Sequence, residues 1–166
     1  MSNLINRKVF LSMAALGGSG LLLNGQIQSS LQERKRPDPL EKELVKEFVV
    51  KGHSDLTRVK ELLDKEPGLL NACWDWGGGD FETAIEGAGH MGNKEIANFL
   101  LQMGARMNIF CAAMLGRLDI VKSTLTIYPD LKFSKGPHGL QLLHHAKKGG
   151  DEALPVLEYL QSIGAQ

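Results

Sequence analysis

Hydrophobic and polar positions change rhythm twice along the chain. An apolar run, Val9 to Leu23, follows Arg7 and Lys8 and is broken by Gly17, Gly18, Ser19 and Gly20. Polar residues then dominate from Gln26 to Pro39, with the charged string Glu33-Arg34-Lys35-Arg36 followed by Pro37 and Pro39. From Leu40 onward apolar residues return at the three-to-four-residue spacing of amphipathic helices. The pattern predicts a signal-like segment at 1–25, a polar linker at 26–39 and a helical domain at 40–166.

Within the helical domain one short pattern recurs. Val59-Lys60-Glu61-Leu62-Leu63, Ile96-Ala97-Asn98-Phe99-Leu100, Ile120-Val121-Lys122-Ser123-Thr124-Leu125 and Val156-Leu157-Glu158-Tyr159-Leu160 align as equivalent helices. Ahead of each lies a small residue that opens a turn, Ser54, Gly92, Gly116 and Gly150, at intervals of 38, 24 and 34 residues. Two segments close on Gly104-Ala105 and Gly164-Ala165. The others close on the proline turns Glu66-Pro67-Gly68-Leu69 and Tyr128-Pro129-Asp130-Leu131. Each unit therefore reads as a short helix, a tight turn, a longer helix and a closing loop. One such unit is too small to bury both of its apolar faces, so the copies must stack on one another to make a core.

These units resemble ankyrin repeats. Thr83-Ala84-Ile85-Glu86-Gly87-Ala88-Gly89-His90-Met91-Gly92 follows the T-P-L-H-x-A-A-x-x-G pattern at Thr83, Ile85, Ala88 and Gly92. Ile109-Phe110-Cys111-Ala112-Ala113-Met114-Leu115-Gly116 keeps the paired alanines and the glycine, and Leu143-His144-His145-Ala146 keeps the leucine, histidine and first alanine. The resemblance implies an all-α solenoid of about four helix-pair repeats, near 40–73, 80–105, 106–135 and 138–166, the first and third irregular. It also implies that His144 ties a loop backbone to its helix. The 24-residue interval leaves almost no hairpin finger in the third unit.

Charge and composition narrow the function. Without residues 1–25 the chain carries 17 basic and 19 acidic residues. That balance lacks the basic face of a nucleic-acid binder. Asn6-Arg7-Lys8-Val9-Phe10-Leu11 resembles a twin-arginine export signal with Lys8 in place of the second arginine, so twin-arginine and Sec export both stay open. The apolar run is short for a membrane span, which needs roughly 20 apolar residues. The expected location is the bacterial periplasm or envelope, with a loose membrane tether if the signal is retained. Whether Cys73 and Cys111 pair is open.

The most unusual stretch is Trp74-Asp75-Trp76-Gly77-Gly78-Gly79-Asp80-Phe81, expected as a long loop between the first two units. Its aromatics either anchor a protein partner, as interface tryptophans often do, or plug the exposed end of the first unit. The glycines lack the lysine and strand of a phosphate loop. A second loop, Lys132 to Gly139, carries Lys135 and His138 and would project on the same side, as a basic end of one binding rim or as a plain connector. His90 lies in a first helix, where it could touch a partner. The expected partner-binding set is thus Trp74, Asp75, Trp76, Asp80, Phe81, His90, Lys135 and His138.

Catalysis and metal chemistry are not expected from the spacing. His144 and His145 are adjacent and point about 100° apart on a helix, so they chelate poorly together with His138. Cys111 sits in an alanine-rich core pattern rather than beside a histidine. The expectation is a monomeric, cofactor-free protein-binding module. The alternatives are a tethered structural accessory and a small metal-binding or hydrolytic enzyme using His144, His145 or Cys111.

Overall fold

The computed structural model describes residues 37–165. The expected signal-like segment and linker residues 26–36 lie outside them. The described residues form eight α-helices and one two-stranded hairpin, so the all-α expectation holds at the level of class. None of these helices is long and apolar enough to cross a membrane.

The helices come in four pairs. They are α1 (Lys42–Gly52) with α2 (Leu56–Lys65), α3 (Ala84–Met91) with α4 (Lys94–Gln102), α5 (Ile109–Met114) with α6 (Leu118–Ile127), and α7 (Leu142–Lys148) with α8 (Leu154–Ser162). Local chemistry starts several of them. The side chains of Asp55, Asn93 and Asn108 accept hydrogen bonds from the backbone N–H groups of Arg58, Ile96 and Cys111, satisfying donors that a helix N-terminus leaves free. Glu86 reaches back to accept from both the backbone N–H and the hydroxyl of Thr83, which fixes the start of α3. At the turns inside the last three pairs, Gly92, Gly116 and Gly150 take φ of 78°, 68° and 62°, which side chains disfavour.

First helices stack in a row, α1 on α3, α3 on α5 and α5 on α7. The row is lined by buried small residues, Ala84, Ala88, Ala112, Ala113 and Ala146, which let backbones approach closely. Second helices lie behind and bury Val59, Leu62, Ile96, Leu100, Val121, Leu125, Val156 and Leu160, the apolar positions that align across the four units. Each such aliphatic side chain contributes roughly 1.5–3 kcal/mol when withdrawn from water. Units are also joined by polar contacts. Asn108 donates to Glu86 at 2.7 Å, and the ring Nε2 of His144 bonds the backbone carbonyl of His90 at 3.0 Å, so His144 ties α7 to the last turn of α3 where a tie to a loop was expected.

One feature departs from the expected layout. Residues 73–83 form a β-hairpin rather than a loop, with β1 (Cys73–Asp75) antiparallel to β2 (Phe81–Thr83). Cys73 pairs with Thr83, Trp74 with Glu82 and Asp75 with Phe81. Directly opposed residues share a face, so Trp74 and Glu82 turn toward the helices while Asp75 and Phe81 turn outward. The third unit is very short, in keeping with its 24-residue interval. Its segment between α4 and α5 contains no strand and α5 has only six residues, so α7 reaches past α5 to contact α3.

Candidate functional site

Short as the third unit is, the loop leading into α7 meets the hairpin across it. Asp80 Oδ1 accepts the backbone N–H of His138 at 2.8 Å, and Asp80 Oδ2 accepts the ring Nδ1–H at 3.0 Å. His138 has φ 59° and ψ 20°, the sole non-glycine residue with positive φ among the described residues. Such a conformation costs of order 1–3 kcal/mol and persists where its surroundings over-determine it. Here the Asp80 clasp is that determinant, and its result is to aim the imidazole at the hairpin.

Beneath the clasp lies a cluster from four separate segments. Glu82 projects from the middle of β2 and is fully buried. Its Oε1 lies 3.5 Å from His53 Nε2 and 3.2 Å from His90 Nδ1, and its Oε2 lies 3.5 Å from His138 Nε2. Trp76 Nε1 donates to Oε2 at 2.8 Å. His53 follows α1, and its Nδ1–H is directed to the carbonyls of Val49 and Val50 at 3.0 and 3.1 Å. His90 occupies the last turn of α3 and is 7% exposed. The three rings interlock edge to face, His53 with His90 at 4.8 Å between centroids and His90 with His138 at 5.2 Å.

Gly87 makes room for this arrangement. A Cβ there would stand 2.8 Å from two atoms of the His53 ring, so any larger residue would push His53 out of the cluster. Burial by itself raises the carboxyl pKa of Glu82. The facing His90, the neighbouring His53 ring and the Trp76 indole outweigh it and hold the group below its ordinary value. Yet Glu82 Oε1 and His90 Nδ1 are buried without a hydrogen-bond partner among the described residues. Though 3.2 Å apart, they miss hydrogen-bond alignment.

The residues expected to bind a partner divide between this cluster and the surface. Phe81 is 57% exposed and Trp76 38% exposed, both at the hairpin tip. Asp75 is exposed and accepts from the Gly77 backbone, and Lys135 is exposed, its backbone bridged to Gln141. Trp74 instead packs half-buried against the first unit with the Lys46 ammonium over its ring. His90 is a correction: it was expected at a partner surface and is buried, because the hairpin and the His138 loop fold over it. Asp80 and His138 engage one another. His53 and Glu82 were not anticipated. They come from distant segments whose joining depends on the short third unit, and no spacing rule carries that signal.

Other reactive groups lie elsewhere. Both cysteines are free thiols, Cys73 exposed on β1 and Cys111 buried in α5, where burial pushes its pKa up to about 12. His145 is buried against Phe110. Away from the hairpin, Ile127, Tyr128, Pro129, Asp130 and Leu131 line a cleft of about 460 Å³.

Among the described residues, fold and site together define a mostly helical protein in which a hairpin covers a cluster of three histidines and a buried carboxylate. Comparison with protein-family models, curated proteins and solved structures found no match to the chain.

Proposed function

We infer that the chain is an ankyrin-type helix-pair solenoid, exported to the bacterial envelope, that recognises a protein partner through the tip of its hairpin. The observation that carries this reading is the exposure of Phe81 and of Trp76 at a tip that is itself held firmly. Trp76 is anchored to Glu82, and Asp80 to His138. An aromatic surface already fixed in place loses little conformational freedom when a partner closes on it, which raises affinity without added contact area. Asp75, cross-strand from Phe81, and the exposed Lys135 carry opposite charges that would orient the partner. The Thr83-to-Gly92 motif, the finger-like hairpin and the row of small residues between first helices support the ankyrin-type assignment. Binding rather than catalysis is favoured by the deep burial of Cys111, whose raised pKa leaves almost no thiolate near neutrality.

Photo-crosslinking tests the reading. With a photoreactive phenylalanine at position 81 of the full chain, irradiation in envelope extract is expected to yield one discrete adduct. The same probe at the exposed Glu158 on α8 should not. Phe81→Ala is expected to weaken that partner by about 2 kcal/mol or more, roughly thirtyfold. Crosslinking that follows a probe at Tyr128 instead would move recognition to the 460 Å³ cleft and overturn the hairpin assignment.

A further inference from the structure

We propose that His53, Glu82, His90 and His138 bind a divalent first-row transition metal ion, Zn²⁺ being the representative case. The argument begins with proton positions. Carbonyl and carboxylate oxygens only accept hydrogen bonds, so His53 Nδ1 carries its proton toward Val49 and His138 Nδ1 carries its proton toward Asp80. In the neutral rings both Nε2 atoms therefore present bare lone pairs, and each points at Glu82 from 3.5 Å. His90 Nδ1 approaches the same carboxylate at 3.2 Å. The Nε2 atoms of His53 and His138 and the Nδ1 of His90 thus converge on one carboxylate, whose far oxygen also accepts the Trp76 indole N–H.

Such a convergence is unfavourable without a cation. A buried polar atom left unsatisfied costs about 1–3 kcal/mol, and more when charged. Glu82 Oε1 and His90 Nδ1 are two such atoms, and they face each other. A metal ion between them satisfies both. The spacing suits one: with Zn–N and Zn–O bonds of about 2.0–2.1 Å, the ligand atoms of a tetrahedral site stand about 3.3 Å apart. The two contacts of Glu82 Oε1 bracket that value at 3.2 and 3.5 Å, and His138 reaches the other carboxylate oxygen at 3.5 Å. The ligand atoms of all four residues lie within 4.8 Å of one another, so small torsional rotations gather them on one centre.

The surroundings have the form that metal sites use to orient their ligands. Ligating histidines usually donate their other ring N–H to a carboxylate or a backbone carbonyl, which sets tautomer and ring direction. His138 does so to Asp80 and His53 to Val49, and the Glu82 carboxylate is steadied by Trp76. Gly87 provides the space for the His53 ring and the strained backbone of His138 aims the last ligand. Imidazole with a single carboxylate and no thiolate selects Zn²⁺, Ni²⁺, Cu²⁺ or Fe²⁺ over Ca²⁺ and Mg²⁺, which need mainly oxygen ligands. The ion would fasten α1, β2, α3 and the loop before α7 at one point. The assignment does not depend on a protein partner, so loss of crosslinking at position 81 leaves it intact.

The test uses the full chain, stripped with a chelator and checked for helical content by circular dichroism. Titration with Zn²⁺ by calorimetry is expected to show one equivalent bound and a rise in Tm. Co²⁺ is expected to give the visible absorption of a low-coordinate nitrogen–oxygen site and to quench Trp76, whose ring lies 5.8 Å from that of His138. Glu82→Gln, which keeps the indole contact, and His138→Asn, on a partly exposed loop, should each weaken uptake more than tenfold. Cys73→Ser, which removes the exposed thiol, should leave it unchanged. The proposal is overturned if the folded, stripped chain takes up no stoichiometric Zn²⁺ or Co²⁺. It is equally overturned if Glu82→Gln and His138→Asn both bind as well as the parent.

Discussion

Asp80 holds His138 twice, one carboxylate oxygen accepting its backbone N–H at 2.8 Å and the other its ring N–H at 3.0 Å. The two residues are 58 apart in sequence and belong to different units, so this clasp bridges the gap left by the short third unit. Its removal frees a backbone that otherwise holds an unfavourable φ. Asp80→Ala is expected to destabilise the fold by about 1 kcal/mol, at the low end because both partners are partly exposed. That lowers Tm by about 3–5 °C. The sharper readout is amide exchange at His138, which should lose its protection while exchange in α3 and α4 stays slow. Unchanged protection at that amide would mean the clasp is not formed in solution.

Two glycines in α3 should respond to the same substitution with opposite signs. Glycine inside a helix is less favourable than alanine by about 0.8–1 kcal/mol. At Gly89 an added methyl meets nothing closer than 3.7 Å, so Gly89→Ala is expected to stabilise the protein by up to about that amount. At Gly87 the methyl falls 2.8 Å from the His53 ring, which is pinned by the Val49 carbonyl and the neighbouring His90 ring. Overpacking of that kind costs about 1–3 kcal/mol. Gly87→Ala is therefore expected to be destabilising, and thermal unfolding of the two variants side by side decides it.

What the sequence made legible was periodic and local. The second helices announce themselves through aliphatic residues at helical spacing, and all four aligned segments bury most of them, Ile120 at 38% exposure being an exception. Asn93 and Asn108 start their helices through side-chain caps not assigned from the sequence. The hairpin was hidden because its strands are three residues each, too short for alternation to register, and because Gly77 to Gly79 look like a loop in any setting. The polar cluster was hidden for a different reason. His53, Glu82, His90 and His138 share no spacing, and their meeting depends on α7 packing across a six-residue α5 onto α3. A local pattern carries information about its own helix and little about which distant loop lands on it. His90 illustrates this, since its position in α3 was readable while its burial was set by a hairpin and a loop from other units.

The two cysteines should differ sharply toward thiol reagents. Cys111 is buried in the alanine-lined row and its pKa is pushed up to about 12, by burial first and by the Glu86 charge second. Cys73 lies exposed on β1, with its thiol raised by partial burial and by the same glutamate. Thiolate is the reactive form. Native protein near neutral pH is expected to take up one label per chain, slowly, at Cys73, and a second only on unfolding. Mass spectrometry of tryptic peptides locates each label. Two labels at equal rates on folded protein would contradict the burial of Cys111.

His145 makes stability depend on pH with a sign fixed by its surroundings. It is 1% exposed, and burial drives its pKa from 6.5 to about 4 against the opposing hydrogen bond to the Gln141 carbonyl. In the unfolded chain the ring takes up a proton near pH 6.5, whereas in the folded chain it stays neutral until about pH 4. Above 6.5 neither state is charged and the contribution of the buried ring is complete. As pH falls from 6.5 toward 4 the unfolded state binds a proton that the folded state refuses, so stability declines, levelling off below 4. The linkage amounts to about 3 kcal/mol across that window. His145→Leu fills similar space, and the Gln141 carbonyl still accepts from the backbone N–H groups of His144 and His145. Urea unfolding at pH 7, 5.5 and 4 should therefore find the two proteins similar at pH 7 and the variant clearly more stable at pH 4. Parallel pH profiles would show that His145 charges as readily in the folded protein as outside it, and would contradict its placement in the core.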